Sequence, residues 1–287
     1  MNIRQVRKKI KSVVNVKKIT KAMQLVSAVK MKKAQQMALE GKPYRQTLEG
    51  ILKRIVPKVN PKISQLLHLE IKENVEKELV LFISSNKGLC GAFNVNLFRF
   101  FLDNVDVKNK DFICIGKKGG LFISKLGGNV IADFSSYKPL LEVSAISSLI
   151  LEKYLSGNYR KVNIVYNQFI STLKFQTLNE ILLPMKTKFS NKEEGSTTKD
   201  YDYLIEPSEK EILEYVLKSY FEEKIRSSII NSEAVEESAR MIAMKNATDN
   251  ANDVIYNLTL LGNKLRQQKI TYELLDMVTA KESVESN

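Results

Sequence analysis

Apolar residues recur at helical spacing over the first forty positions. Ile3, Val6, Ile10 and Val13 stand 3, 4 and 3 apart, and Val16, Ile19, Met23 and Val26 repeat that spacing. Such a stripe marks one face of a long helix, and the three-residue step from Val13 to Val16 reads as a stammer that overwinds a supercoil locally. The same phase then meets Lys30 and Lys33, where the apolar seam fades. Forty helical residues make a rod of roughly 60 Å. The other end is more regular: Met244, Ala247, Ala251, Val254, Leu258, Leu261, Leu265, Gln268, Tyr272 and Leu275 alternate 3 and 4 without a break. A period of 3.5 predicts a left-handed coiled coil. Ala243, Ala247 and Ala251 let a partner backbone come close. Ser208, after Pro207 and with Glu211 three residues on, makes a capping box for this helix. Continuous to Lys281, it would run roughly 110 Å. Gly262 inside it costs about 1 kcal/mol relative to Ala, tolerable beside so much apolar seam.

The punctuation agrees. Residues 1–40 contain neither Pro nor Gly, and after Pro207 the only one is Gly262. Between these ends the pattern changes to short apolar runs separated by helical pieces. Strands are expected at Glu78–Ile83, Asp111–Gly116, Val130–Phe134, Lys161–Tyr166 and near Leu173–Leu178. Helices are expected at Phe93–Leu102, Leu121–Leu126 and Ala145–Leu155. That alternation predicts a small α/β sheet with parallel character. Thr187–Asp202, polar and Gly- and Ser-bearing, reads as a solvated loop. The divisions expected are therefore 1–56, an N-terminal coiled-coil helix; 70–186, a central domain; 187–206, a loop or foot; and 207–287, a C-terminal coiled-coil helix. Helices that pack onto an ordinary globular core average far shorter than these two, which favours their winding on each other.

Charge changes the picture at one end. Residues 1–42 hold twelve Lys and Arg against Glu40 alone, a local +11 out of the chain's +13. That head should seek an acidic partner. A nucleic-acid-binding coiled coil is one rival. Against it, the head has no aromatic residue for base stacking, and its cations share a helix with the apolar seam instead of preceding a zipper.

Candidate chemistry is sparse. Gly88-Leu89-Cys90-Gly91 follows a strand and precedes a helix, where a phosphate loop would sit, and Gly116-Lys117-Lys118-Gly119-Gly120 is similarly placed. Neither has the spacing of a dinucleotide or P-loop fingerprint, so tight strand-to-helix turns are the favoured reading and a nucleotide-binding α/β enzyme the rival. His68 is the sole histidine, set among Leu66, Leu67 and Leu69 with no nucleophile motif. Two cysteines, Cys90 and Cys114, suggest a reducing location, not a disulfide framework. No apolar run approaches the ~18 residues of a membrane span, and the start lacks a secretory signal. No catalytic, cofactor-binding or metal-binding residue is assigned.

Three segments stand out: Ile19-Thr20-Lys21-Ala22-Met23 through Val29-Lys30-Met31; Ser84-Ser85-Asn86-Lys87-Gly88-Leu89-Cys90-Gly91-Ala92-Phe93-Asn94; and Ser238-Ala239-Arg240-Met241-Ile242-Ala243-Met244-Lys245-Asn246-Ala247-Thr248-Asp249-Asn250-Ala251, running on through Asn263–Thr271. Together they resemble one family, the γ subunit of the F-type ATP synthase, the central stalk of its F1 motor. The resemblance covers nearly the whole chain. It implies an α/β fold in which the N- and C-terminal helices form an antiparallel left-handed coiled coil beside a central Rossmann-like domain. The seam is expected at Ile10, Ile19, Val26, Arg240, Met244, Ala247, Ala251, Leu258 and Leu265. The function implied is that of a rotor, with no catalytic residues of its own. It couples proton-driven rotation of the c ring to ATP synthesis, or hydrolysis in reverse, in the α3β3 ring. Lys18, Lys21 and Met23 resemble the face that meets an acidic lever of a β subunit, and Arg266, Gln267, Thr271 and Glu273 a patch that engages a β-subunit loop. Tyr203, Leu204 and Glu206 resemble the foot that contacts the ε subunit and c ring. Arg240 falls in the seam, where a charge is costly unless paired; a partner contact and a salt bridge to the facing helix both remain open. The partners implied are thus α, β, ε and the c ring, with no nucleic acid, no cofactor and no membrane insertion. The closely spaced cysteines of chloroplast relatives are absent, and the polar Lys281-Glu282-Ser283 end departs from the family's small-residue tail. With no transit peptide, a peripheral place on the cytoplasmic face of a bacterial membrane is expected.

Overall fold

The computed structural model describes residues 2–60, 63–68, 75–136, 138–185, 206 and 208–285. The loop expected at 187–202, with Tyr203, Leu204 and Pro207, lies outside them. In chain order the elements are α1 (Ile3–Ile55), β1 (Glu78–Ile83), α2 (Phe93–Asn104), β2 (Lys110–Ile115), α3 (Lys117–Lys125), β3 (Asn129–Phe134), α4 (Val143–Leu155), β4 (Lys161–Phe169), β5 (Phe175–Leu183) and α5 (Glu209–Glu285). Two compact units emerge, Met1–Ala28 with Arg240–Asn287 and Val29–Ala239, so both boundaries fall inside the long helices.

In the larger unit, the apolar runs become a five-stranded sheet in the order β3-β2-β1-β4-β5. β1 pairs in parallel with β2 and β4, β2 in parallel with β3, and β5 closes the edge antiparallel to β4. Both faces of β1 are buried, which is why it reads as a continuous apolar run and not an alternating one. Val80 and Phe82 meet Leu97 and Phe101 of α2 and Ile123 of α3 on one face. Leu79, Leu81 and Ile83 meet the other, where Ile146 and Ile150 of α4 lie with the inner ends of the terminal helices: Leu48, Leu52 and Ile55 of α1 and Leu213, Leu217, Phe221, Ile225 and Ile229 of α5. Each such side chain, fully buried, is worth roughly 1.5–3 kcal/mol.

An ionic girdle ties the amino ends of the strands. Glu78 lies between Lys110 Nζ at 3.1 Å and Lys161 Nζ at 2.8 Å. Asp111 accepts from Tyr159 Oη at 2.6 Å and Asn129 Nδ2 at 2.8 Å and pairs with Lys77 at 2.8 Å.

Gly41, Pro43 and Gly50 do not interrupt α1. Local propensity yields there to contacts with α5. A Cβ on Gly41 would stand 3.3 Å from Glu223 Oε1, Arg45 donates to Ser227 Oγ, and Glu49 accepts from Tyr220 Oη at 3.3 Å. Lys30 pairs with Glu237 at 3.5 Å farther along. From Lys30 opposite Glu237 to Glu49 opposite Tyr220 the numbers rise on α1 and fall on α5, so the helices run antiparallel here. At the start of α5 the Glu211 amide donates to Ser208 Oγ at 3.3 Å, the N-cap expected of that serine.

Candidate functional site

The strand-to-helix turns at the carboxyl edge of the sheet are stitched to each other. Three amides at the start of α3, those a phosphate would need, already have acceptors. Lys117 N–H donates to Asn86 Oδ1 at 3.0 Å, Lys118 N–H to Ser85 O at 3.1 Å and Gly119 N–H to Ser84 Oγ at 2.7 Å. Asn86 Nδ2 in turn donates to Ser136 O, and Asn94 Nδ2 to Ser85 Oγ at 2.7 Å. The glycines serve this closeness. Gly116 has φ +98°, and a Cβ there would stand 2.4 Å from Ser84 O; one on Gly119 would stand 2.5 Å from Ser84 Oγ. Turn packing against turn accounts for the Gly116–Gly120 segment, while in the Gly88–Gly91 turn Gly91 takes a positive φ of 54°.

Other chemistry-bearing groups are quiet. Cys90 and Cys114 are free and buried. Burial, with Asp133 nearby, pushes the Cys114 thiol up to about 12, so it makes a poor nucleophile. His68 is exposed. Among the described residues, no group of three or more His, Cys, Asp or Glu side chains could hold a metal ion.

The smaller unit pairs the outer ends of α1 and α5. Thr20 Oγ1 and Thr248 Oγ1 are 2.8 Å apart, and a Cβ on Gly262 would stand 3.5 Å from Val6 Cγ1. Going from Val6 to Thr20 on α1 therefore goes from Gly262 back to Thr248 on α5, an antiparallel register. Thr248 Oγ1 lies 2.8 Å from Met244 O and Thr20 Oγ1 3.1 Å from Lys17 O, so one hydroxyl donates to its own backbone carbonyl and the other donates across the pair.

The seam that this register buries differs from the apolar pattern. Val6, Thr20 and Ser27 are buried on α1, with Ile3, Ile10 and Val13 half-buried. Val16, Ile19 and Val26 are instead 50, 59 and 56% exposed. The buried stripe thus keeps a heptad step through Lys17, Thr20, Gln24 and Ser27, with no stammer, and the second apolar set faces outward. On α5, Arg240, Met244, Thr248 and Ala251 are buried; Ala247, Ile255, Leu258, Gly262 and Leu265 are half-buried; Val254 and Leu261 are exposed. Of the seam expected, Arg240, Met244 and Ala251 are buried and Ile10, Ala247, Leu258 and Leu265 half-buried, whereas Ile19 and Val26 are exposed. The hydroxyl positions Thr20, Ser27 and Thr248 were missed because an apolar count gives them no weight. Their signal is small size beside alanines.

Contact candidates fall in two groups on this unit. Lys18 and Lys21 are exposed and Met23 half-buried; Lys21 Nζ reaches Gln24 Oε1 at 3.2 Å. Arg266, Gln267, Thr271 and Glu273 are all exposed, Glu273 pairs with Lys269 at 3.3 Å, and the Thr271 hydroxyl donates back to Gln267 O. By the register, Met23 is level with Lys245, so Arg266 lies about 30 Å farther along. From Arg266 to Lys281 every residue is exposed, including Ile270, Tyr272, Leu274, Leu275, Met277 and Val278, because α1 begins only at Ile3. Arg4, Arg7, Lys8, Lys9 and Lys11 are exposed too. The unit is a helical pair offering apolar side chains among cations, a surface made for partners. Glu206, in the larger unit, is exposed; Tyr203 and Leu204 lie outside the described residues.

Residues 2–284 match the family model described as ATP synthase. Relatives named ATP synthase gamma chain include one from Coxiella burnetii (strain RSA 493 / Nine Mile phase I), 36% identical over 98% of this chain and 99% of its own length. Another, from Methylacidiphilum infernorum (isolate V4), is 36% identical over 96% and 97%. Among solved structures, a chain of the Euglena gracilis mitochondrial ATP synthase, OSCP/F1/c-ring in rotational state 3, matches with a TM-score of 0.70 at 20% identity, covering 99% of this chain and 95% of that one. A chain of the Tetrahymena thermophila mitochondrial ATP synthase central stalk and c-ring matches at 0.55 and 22%, covering 80% and 99%. These two likenesses speak to the fold.

Proposed function

This chain belongs to the ATP synthase gamma chain family, and on that footing we propose that it is the central-stalk rotor of an F1Fo ATP synthase. It couples proton-driven rotation of the c ring to the cycling of catalytic sites in an α3β3 ring, or the reverse. The observation that carries the reading is the antiparallel pair of terminal helices, with its apolar and cationic side chains turned outward, in a chain matched to a gamma chain over 98% of its length. In this reading the chain does no bond chemistry itself, which the bonding of the Lys117 and Gly119 amides to Asn86 and Ser84 side chains supports. Lys18, Lys21 and Met23 meet an acidic lever of a β subunit, and Arg266, Gln267, Thr271 and Glu273 a β-subunit loop. Tyr203, Leu204 and Glu206 meet the ε subunit and c ring. Among the described residues no helix is long and apolar enough to cross a membrane, so attachment runs through these partners, at the cytoplasmic face of a bacterial membrane.

Reconstitution tests this. α and β subunits with this chain should give a complex whose ATPase exceeds that of α and β alone; equal activity with and without the chain refutes the rotor reading. Reversing charge at Lys18 and Lys21 should weaken coupled ATP synthesis more than assembly, since both side chains are exposed. Normal coupling in a normally assembled variant removes the lever contact.

A further inference from the structure

The inner ends of the terminal helices sit on the sheet through mostly apolar side chains, among them Leu213, Leu217, Phe221 and Ile225. Apolar packing is non-directional. It holds α5 down firmly but resists a turn of the helix about its own axis only through side-chain shape. A rotor needs more at this joint, because torque arrives as such a turn.

Directional contacts add to it: Ser144 Oγ of α4 donates to Glu222 of α5 at 2.8 Å, Ser238 Oγ of α5 donates to Thr172 O at 2.6 Å, and a charged cluster joins α5 to the strands themselves. Glu180, on the edge strand β5, has a partner on a different element for each carboxylate oxygen. Oε1 accepts from Tyr166 Oη of β4 at 2.9 Å, and Oε2 meets Lys224 Nζ of α5 at 2.7 Å. The same Nζ stands 6.0 Å from the centre of the Tyr166 ring. The two charged side chains are 18 and 27% exposed, so salt and water screen the pair weakly. Tyr166 thus aims the carboxylate from within the sheet before the helix meets it. Lys224 carries its charge to the rim of α5, roughly 5–6 Å from the helix axis, where a force opposes rotation with a lever arm.

We propose that Glu180 is a positioning residue that keys α5 to the sheet in angle, so that torque crosses this joint through Tyr166–Glu180–Lys224 and not through apolar packing alone. This rests on the rotor reading above.

The test places variants in the complete ATP synthase in membrane vesicles, measuring ATP hydrolysis and ATP-driven proton uptake together. Glu180→Ala should hydrolyse ATP near the wild-type rate while its proton uptake per ATP falls about threefold or more. Glu180→Gln, which keeps the shape and the Tyr166 hydrogen bond but not the ion pair, should fall between. It also serves if the alanine variant fails to assemble. Exchanging the charges, Glu180→Lys with Lys224→Glu, should restore uptake, which a merely structural loss would not allow. Wild-type uptake per ATP in both single variants, or no recovery in an assembled charge exchange, overturns the proposal. The rotor reading is judged separately, by whether complexes lacking this chain pump at all.

Discussion

Two adjacent glycines of α3 should respond to the same substitution with opposite signs. A methyl group on Gly119 would sit 2.5 Å from Ser84 Oγ and 2.8 Å from Phe82 Cδ1, both on a central strand and its turn. One on Gly120 would find nothing nearer than Asp133 Oδ2 at 3.5 Å, an ordinary contact. Overpacking costs about 1–3 kcal/mol, and displacing Ser84 also weakens the 2.7 Å bond from the Gly119 amide, worth about 1 kcal/mol. Alanine returns about 1 kcal/mol of helix propensity at either site. Gly119→Ala should therefore lose about 1–3 kcal/mol net, and Gly120→Ala gain up to about 1 kcal/mol. In a body of this size each kcal/mol moves Tm by about 2–4 °C, so the first variant should melt roughly 2–12 °C lower. Differential scanning calorimetry of the full chain reads this directly. Equal Tm values for the two variants would refute the packing argument. Adding Mg-ATP to the wild-type chain should leave Tm where it is, since the amides at the start of α3 are spent and Gly88–Gly91 lacks a phosphate-loop spacing; a rise would reinstate the nucleotide-loop reading.

Two further outcomes follow from the same geometry. Burial alone would raise the carboxyls of Glu78 and Asp111. Bonds from Lys161 and Lys110 to the first, and from Lys77, Tyr159 and Asn129 to the second, outweigh it and hold both below their ordinary values. A carboxyl depressed on folding adds stability that is present above its unfolded value and lost as pH falls through the folded one. Thermal stability should thus drop on acidification below about pH 4. Asp111→Asn should flatten part of that fall while costing roughly 1–3 kcal/mol at neutral pH; an unchanged acid limb in melting curves counts against the girdle. Gly262→Ala should stabilise the helical pair by about 0.5–1 kcal/mol, because its new methyl meets Val6 Cγ1 at an unstrained 3.5 Å. Circular dichroism melts showing a loss of stability would contradict the register.

How much of this was legible in the sequence depends on what each element is made of. The strands were visible because a parallel strand buried on both faces is an uninterrupted apolar run, as in Glu78–Ile83 and Lys110–Ile115. The strand order was not, since it depends on which crossovers pack and no local signal encodes that. α1 runs through Gly41 and Pro43, poor helix formers, and contacts of that stretch with Glu223, Ser227 and Tyr220 of α5 offset their low propensity.

The seam shows where reading apolar positions fails, and why. Up to Val13 the apolar stripe and the buried stripe coincide; beyond it the chain offers two candidate seams one residue apart, about 100° round the helix. Val16, Ile19, Met23 and Val26 offer the larger transfer energy, yet Thr20 and Ser27 are buried. Rotating the helix to bury the first set would lift Val6 from its fully buried seat beside Gly262, so the upper layers hold the phase for the whole helix. The polar stripe tolerates burial because its threonine hydroxyls are satisfied: they bond each other, with the Met244 carbonyl within reach of Thr248 and the Lys17 carbonyl within reach of Thr20. Apolar side chains in seam-like spacing that the fold leaves outside are then unspent binding capacity, and they flank Lys18 and Lys21, the cations read as partner contacts. Disagreement between the apolar pattern and the buried seam is itself the signal of an interface, because a helix that served only its own fold would have placed those side chains inward.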